Sequence, residues 1–181
     1  MTNEEKLISI VENFNNLTVL CVGDLILDKF IMGNVNRISP EAPVPVFNIL
    51  DTSYTLGGAG NVAANFSSLG AKCILLGVIG KDHEGSILKD LTNKIYGIDS
   101  KILIDKNRPT TSKLRYISSG QHMLRVDNEV STNISVETEK QIYDKIIKVL
   151  DNVDVVILSD YGKGVITKTL SVKIIKSAKK N

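Results

Sequence analysis

The sequence predicts an α/β domain built on a mostly parallel sheet, with a small antiparallel sheet appended as a lid, and three observations carry that prediction. Continuous apolar runs of strand length stand at 18–23, 73–76 and 153–158, as strands buried on both faces require. Patterns of helical period separate or follow them at 59–69, 83–96, 136–150 and 167–179. Four half-exposed segments with turn residues around them, 29–32, 44–50, 112–117 and 123–126, break the strand-then-helix rhythm.

Taken in order, the run Thr18-Val-Leu-Cys-Val-Gly23 ends in Gly-Asp, the pattern of a buried strand emerging at a functional edge. The first two lid segments follow, and a glycine cluster then opens the helix at 59–69. Strand 73–76 and helix 83–96 continue the alternation. Ser119-Gly120 is a turn dipeptide joining the second pair of lid strands. The helix at 136–150 aligns Val136, Ile142, Ile146 and Val149, and strand 153–158 succeeds it. The last helix, 167–179, carries Leu170, Ile174, Ile175 and Ala178 on one side and should deliver the chain to a further parallel strand. The expectation is therefore that residues 1–181 form the N-terminal part of a longer enzyme domain, with lid strands near 29–50 and 111–127. A final helix docked as a lid is the alternative.

At 181 residues, 43% hydrophobic and 23% charged with four prolines, the composition is that of one folded domain. Lys and Arg number 22 against 20 Asp and Glu, a net +2 that argues for no nucleic acid and no membrane surface as partner. Cys21 and Cys73 both lie in apolar runs, which excludes a disulfide framework or a cysteine-rich zinc site. The start, MTNEEKLISI, has acidic residues before a short apolar run and no cleavage signal, and no apolar stretch approaches bilayer length, so a cytoplasmic protein is expected. His83 and His122 have neither metal-ligand spacing nor a nucleophile partner, and no metal site is expected.

Four motifs bear chemistry. Gly57-Gly58-Ala59-Gly60-Asn61 precedes a helix, so its backbone can approach a ligand closely and its amides suit hydroxyls or an anion; a tight turn into a helix explains it equally well. It is neither a Walker loop nor the dinucleotide fingerprint, which disfavours a nucleotide-binding oxidoreductase domain. Asp24 and Asp28 follow the first strand. An ionised carboxylate accepts two sugar hydroxyls, although a turn or helix-cap aspartate is the plainer account of either alone. Ser159-Asp160-Tyr161-Gly162-Lys163-Gly164 ends the strand at 153–158, where a lysine between glycines can reach a phosphate. Lys113, Arg115 and Arg125 on the lid strands make a cationic surface suited to a phosphorylated small molecule, and equally a deterrent to edge pairing.

Together, Val22-Gly-Asp-Leu-Ile-Leu-Asp28, Arg37-Ile-Ser-Pro-Glu-Ala-Pro-Val-Pro-Val46, Gly57-Gly-Ala-Gly-Asn-Val-Ala-Ala64 and Leu158-Ser-Asp-Tyr-Gly-Lys-Gly164 resemble the ribokinase-like (PfkB) carbohydrate kinases. The stretch 37–46 resembles specifically the branch that phosphorylates D-glycero-D-manno-heptose 7-phosphate at its anomeric position, on the way to ADP-heptose for lipopolysaccharide and related glycans. The resemblance runs from about Leu17 to the end of the chain and implies a ribokinase-like, Rossmann-type sheet with a β lid. It implies that Asp28, Gly57, Gly58 and Asn61 hold sugar hydroxyls. It places the segment 37–46 and the strands carrying Lys113, Arg115, Arg125 and Asp127 at the sugar phosphate, and Asp160 and Lys163 near the sugar and the transferring phosphoryl group. MgATP as phosphoryl donor and pairing of lids into a homodimer follow from the same resemblance.

One departure matters. The family's C-terminal Gly-Ala-Gly-Asp, whose Asp is the base, has no counterpart here; the only similar string is Gly58-Ala59-Gly60-Asn61, and an asparagine takes no proton. The C-terminal part of the fold, with the base and most of the nucleotide site, is expected to be missing, leaving no catalytic residue and no firm requirement for ATP or Mg²⁺ in these residues. The competing reading is a non-catalytic sugar-phosphate binding or dimerisation module.

Overall fold

In chain order, the computed structural model, which describes residues 2–180, contains α1 (Asn3–Glu12), β1 (Thr18–Gly23), β2 (Leu25–Ile38), β3 (Pro45–Gly58), α2 (Ala59–Ser68), β4 (Lys72–Leu76), β5 (Val78–Gly80), α3 (His83–Lys94), β6 (Ile98–Ser100), β7 (Leu103–Asp105), β8 (Ser112–Ser118), β9 (Gln121–Asn128), α4 (Val136–Val149), β10 (Val155–Ser159) and α5 (Lys168–Ala178). β1 sits inside a parallel sheet of order β10-β1-β4-β6, with Val19 opposite both Val155 and Cys73.

Alternation along β1 sets the layers. Leu20 and Val22 pack with Ile142 and Ile146 of α4 and with Leu170 and Ile174 of α5. Cys21 points the other way, into a cluster with Ala59 and Ala63 of α2, Leu75 of β4 and Leu88 of α3. Both faces of the strand are therefore buried, and that is why its sequence is apolar without interruption. Each fully buried Leu or Ile contributes about 1.5–3 kcal/mol to this core.

The two cysteines belong to the second cluster as free thiols. Burial pushes the Cys21 thiol up to about 12 and the Cys73 thiol up to about 11, which keeps both neutral and makes them core residues, not nucleophiles.

The lid departs from the sequence expectation in length and in pairing. β2 and β3 each run 14 residues and form a long antiparallel hairpin, with register shifts at Met32/Gly33 and Val35/Arg37. β8 pairs parallel to β2 and antiparallel to β9, so the order β3-β2-β8-β9 is a mixed sheet and not the purely antiparallel one expected. The reason is connectivity: the antiparallel pairs are the two hairpins, whereas β8 reaches β2 only after a crossover through α2 and α3. The extra hairpin length went unread because Gly33, Asn34, Asn36, Asp51, Thr52 and Ser53 dilute the apolar signal, while the backbone ladder holds regardless of side-chain type.

Four elements were not anticipated. β5, β6 and β7 have three residues each, too short for a periodic pattern. α1 buries none of its residues and is held by its own start, where Thr2 and Glu5 form a reciprocal capping box. No helix among the described residues is long and apolar enough to cross a membrane.

Candidate functional site

Asp24 is the single residue between β1 and β2, and its position lets it tie three segments together. Its N–H donates to the Ser159 carbonyl at 3.1 Å, and its own carbonyl accepts from Ala59 N–H at 2.9 Å where α2 begins. The side chain, fully buried, accepts from the main-chain N–H groups of Tyr161 (2.8 Å), Lys163 (3.0 Å) and Val165 (3.1 Å). Of the two carboxylates after the first strand, this one is consumed in holding the loop 159–165, which leaves Asp28 as the carboxylate available to a ligand.

Asp28 lies four residues further on, on the face of β2 turned to a pocket of about 380 Å³ outside the carboxyl ends of β1 and β10. Its Oδ1 accepts from Arg115 Nη1 at 2.6 Å, both side chains being mostly shielded. A Cβ added to Gly57 would come within 2.4 Å of Asp28 Oδ2, so glycine there gives the carboxylate its room. Gly58 turns the chain into α2 at φ +55, a conformation only glycine adopts readily, and Asn61 stands in the first turn of that helix.

Cations face these groups from the lid. β8 sends Lys113 and Arg115 to the pocket by its period of two, and β9 adds Arg125, directly opposite Arg115 in the ladder. Two guanidiniums opposite one another repel, and each turns to its own carboxylate: Arg115 to Asp28, Arg125 Nε to Asp127 Oδ1 at 3.0 Å. Arg115 also stacks over the Phe30 ring, 5.2 Å from its centroid. Asp127 additionally meets Lys113 Nζ at 3.4 Å. Partial burial pushes its carboxyl up, but Lys113 and Arg125 outweigh this and hold it below the usual carboxylate range.

Seven of the ten sequence-nominated residues thus line one pocket: Asp28, Gly57, Gly58, Asn61, Lys113, Arg115 and Arg125. Asp127, Asp160 and Lys163 do not. Asp127 serves as counter-ion to two of the lining cations, and Asp160 is exposed and accepts from Gly162 N–H within its own turn. Lys163 donates to Glu129 Oε1 at 2.7 Å, and its carbonyl accepts from Arg108. The segment 37–46 forms the far end of the β2–β3 hairpin and is also absent from the lining. Tyr161 lines the pocket in its place. A larger cavity, about 670 Å³, opens at the opposite end of the sheet beside Thr18, Lys72 and Ile98. It gathers no comparable set of charges, and ligands of open α/β sheets bind outside the carboxyl ends of the strands, so the smaller pocket is the functional candidate.

Two supporting residues escaped the sequence reading. Asp82 caps α3 through Gly85 N–H (2.8 Å) and also accepts from Thr110 N–H (2.7 Å) and Thr110 Oγ1 (2.6 Å), which fixes the chain just ahead of β8. An aspartate directly before a helical pattern is a readable cap signal, but its partner 28 residues away has none. The other is Glu129, in the polar segment after β9, whose ion pairs have no local signature. Burial pushes the Asp82 carboxyl up, yet the Thr110 and Gly85 bonds prevail and place it below its usual value. The folded state then binds that proton less readily than the unfolded chain, so this stabilisation is complete above the ordinary aspartate value near about 4 and is lost as pH falls through the lower folded-state value. Thermal unfolding followed downward from pH 6 should show a declining midpoint, and Asp82→Asn should flatten that decline; an equal slope in the variant would assign the acid sensitivity elsewhere.

Known proteins match this arrangement in sequence and in shape. The chain is 43% identical over 174 residues to the bifunctional protein HldE of Rhodopseudomonas palustris strain BisB5, and 47% identical over 165 residues to that of strain BisA53. These alignments cover 95% and 90% of this chain but only 36% and 34% of those proteins, so the chain spans about a third of their length. Among solved structures, a possible 1-phosphofructokinase from Thermotoga maritima superposes with a TM-score of 0.66 at 17% identity, covering 90% of this chain and 50% of that one. The ribokinase of Arabidopsis thaliana, solved with ribose and ATP, gives 0.60 at 18% identity over 91% of this chain and half of its own. The pattern of pfkB family carbohydrate kinases matches residues 16–181, and the chain belongs to that family.

Proposed function

We propose that this chain supplies the sugar-binding part of an ATP-dependent kinase that phosphorylates D-glycero-D-manno-heptose 7-phosphate at its anomeric hydroxyl, in the formation of ADP-heptose. The observation that carries this reading is the meeting in one pocket of a hydroxyl acceptor, Asp28 beside Gly57 and Gly58, with the cations Lys113, Arg115 and Arg125. A sugar phosphate is a ligand that needs both. The motif at 37–46 supports the heptose branch in particular.

In this reading Asp28 Oδ2 accepts sugar hydroxyls while Arg115 fixes the carboxylate through Oδ1. Gly57 and Gly58 let the sugar approach the main chain, Asn61 offers an amide at the start of α2, and the lid cations neutralise the phosphate. ATP with Mg²⁺ supplies the phosphoryl group. This reading assigns the donor to residues other than these, because the family's Gly-Ala-Gly-Asp, whose amides meet the transferring phosphoryl group, has no counterpart in this sequence. The 181 residues alone should accordingly bind the sugar without turning over ATP, and ADP release with heptose 7-phosphate that Asp28→Asn abolishes would overturn that.

Calorimetry tests the site itself. Asp28→Asn should weaken binding of heptose 7-phosphate by about 1.5–3 kcal/mol, the worth of a charge-assisted hydrogen bond. An unchanged dissociation constant would return Asp28 to a purely structural role with Arg115. The same reading has two chains pair through their lids, whose Ile38, Ile49, Leu50 and Leu124 are all more than half exposed. Light scattering should give a dimer, and a monomer at high micromolar concentration would overturn the pairing.

A further inference from the structure

Glu129 lies outside the pocket, in the segment between β9 and α4, and its two oxygens are used differently. Oε1 accepts from Lys163 Nζ at 2.7 Å. Oε2 is closed off from solvent, accepts no hydrogen bond, and lies 3.6 Å from Lys113 Nζ. That distance is beyond a good hydrogen bond but well within range for charge attraction at a half-buried position.

The two lysines differ as much as the two oxygens. Lys163 is immobilised, since its N–H donates to Asp24, its carbonyl accepts from Arg108 and its ammonium is held by Glu129. Lys113 lines the pocket and stands between Asp127 at 3.4 Å and Glu129 at 3.6 Å, drawn by both and gripped closely by neither. An ammonium has three N–H bonds to give, so this arrangement keeps Lys113 in place while leaving it able to donate to an anion in the pocket.

We propose that Glu129 is a positioning residue: anchored by Lys163, it holds the Lys113 ammonium at the pocket, where the phosphate of a bound sugar phosphate meets a cation already in place. The proposal rests on the sugar-phosphate reading above. It differs in sign from a pure charge effect. Lys113, Arg115, Arg125 and Lys163 face Asp28, Asp127 and Glu129, and deleting one carboxylate from that set would by charge alone tighten an anion. Positioning requires the reverse.

The test measures heptose 7-phosphate and unphosphorylated heptose by calorimetry on the 181-residue chain, with thermal unfolding as a check that each variant is folded. Glu129→Gln should weaken the phosphorylated sugar about tenfold, equivalent to roughly 1.4 kcal/mol, and leave the unphosphorylated sugar unchanged. Glu129→Asp, which keeps the charge but shortens the reach, should fall between. In a Lys113→Met background the Glu129→Gln loss should vanish, because the residue acts through that lysine. Tighter or unchanged binding of the phosphate, equal weakening of both sugars, or the same loss without Lys113 would each overturn the proposal. A wild-type chain that binds neither sugar overturns the sugar-phosphate reading instead. Positioning is then decided by the ¹⁵N signals of the lysine ammonium groups in the free chain: Glu129→Gln and Lys163→Met must both shift that of Lys113, and an unmoved signal refutes it.

Discussion

Replacing Asp24 by asparagine is expected to destabilise the domain by about 3 kcal/mol, because a buried main-chain N–H left without its acceptor costs about 1–3 kcal/mol and the charge that strengthens the remaining bonds is lost as well. Asparagine keeps one acceptor oxygen and puts an NH₂ group where the other was. That group must face either Val165 N–H or the pair Tyr161 N–H and Lys163 N–H, donor against donor. No rotation relieves the conflict, since donors approach both oxygens and the residue has no solvent contact. Total stabilities of domains run to about 5–15 kcal/mol, so the loss should be plain in urea unfolding followed by far-ultraviolet circular dichroism, a suitable probe for a chain without tryptophan. A variant within about 0.5 kcal/mol of wild type, the scatter of ordinary surface changes, would mean that the loop 159–165 is held by other contacts.

Gly58→Ala should do comparable or greater damage, about 3–5 kcal/mol, from backbone strain and steric overlap together. Gly58 sits at φ +55 and ψ −135, outside the regions open to an L side chain. Its added Cβ would stand 2.2 Å from the Asp24 carbonyl oxygen, which cannot retreat while accepting from Ala59 N–H. Gly60→Ala is the internal control. It lies inside α2 with ordinary helical φ, and its Cβ would come nearest to Leu56 Cβ at 3.2 Å, a tight contact that asks for a shift of a few tenths of an ångström and offsets part of alanine's helix-propensity gain of up to about 1 kcal/mol. Equal thermal midpoints for the two variants would contradict the strain assigned to Gly58.

How far the site was legible depended on whether a residue's partner was local. β1 spans 18–23 as read, and α2, α3 and α4 begin at the expected residues, because caps, glycines and burial on both faces leave marks in the adjacent sequence. Lys113 and Arg115 reach the pocket because a strand's alternation is itself a local rule. Lys163 stands on equally local grounds, a lysine flexible between glycines, and does not line the pocket because Glu129, 34 residues away, holds its ammonium. Asp24 and Asp28 are alike in sequence. Their division into a structural and a ligand-facing carboxylate is decided by donors that arrive more than 130 residues later in one case and from Arg115, 87 residues later, in the other.

Those separations have a kinetic consequence. The side-chain hydrogen bonds of Asp24 span 137 to 141 residues, and β1 gains its β10 neighbour across a similar distance. Loop-closure entropy for such contacts has to be met before they return any energy, which places them late in folding. During synthesis, the β2–β3 hairpin and α2 can form while the chain is still growing, but the pocket floor cannot close until residue 165 has emerged. Until then Asp24 and the inner edge of β1 are exposed to whatever else is in reach, and the nascent chain is at its most prone to mispairing.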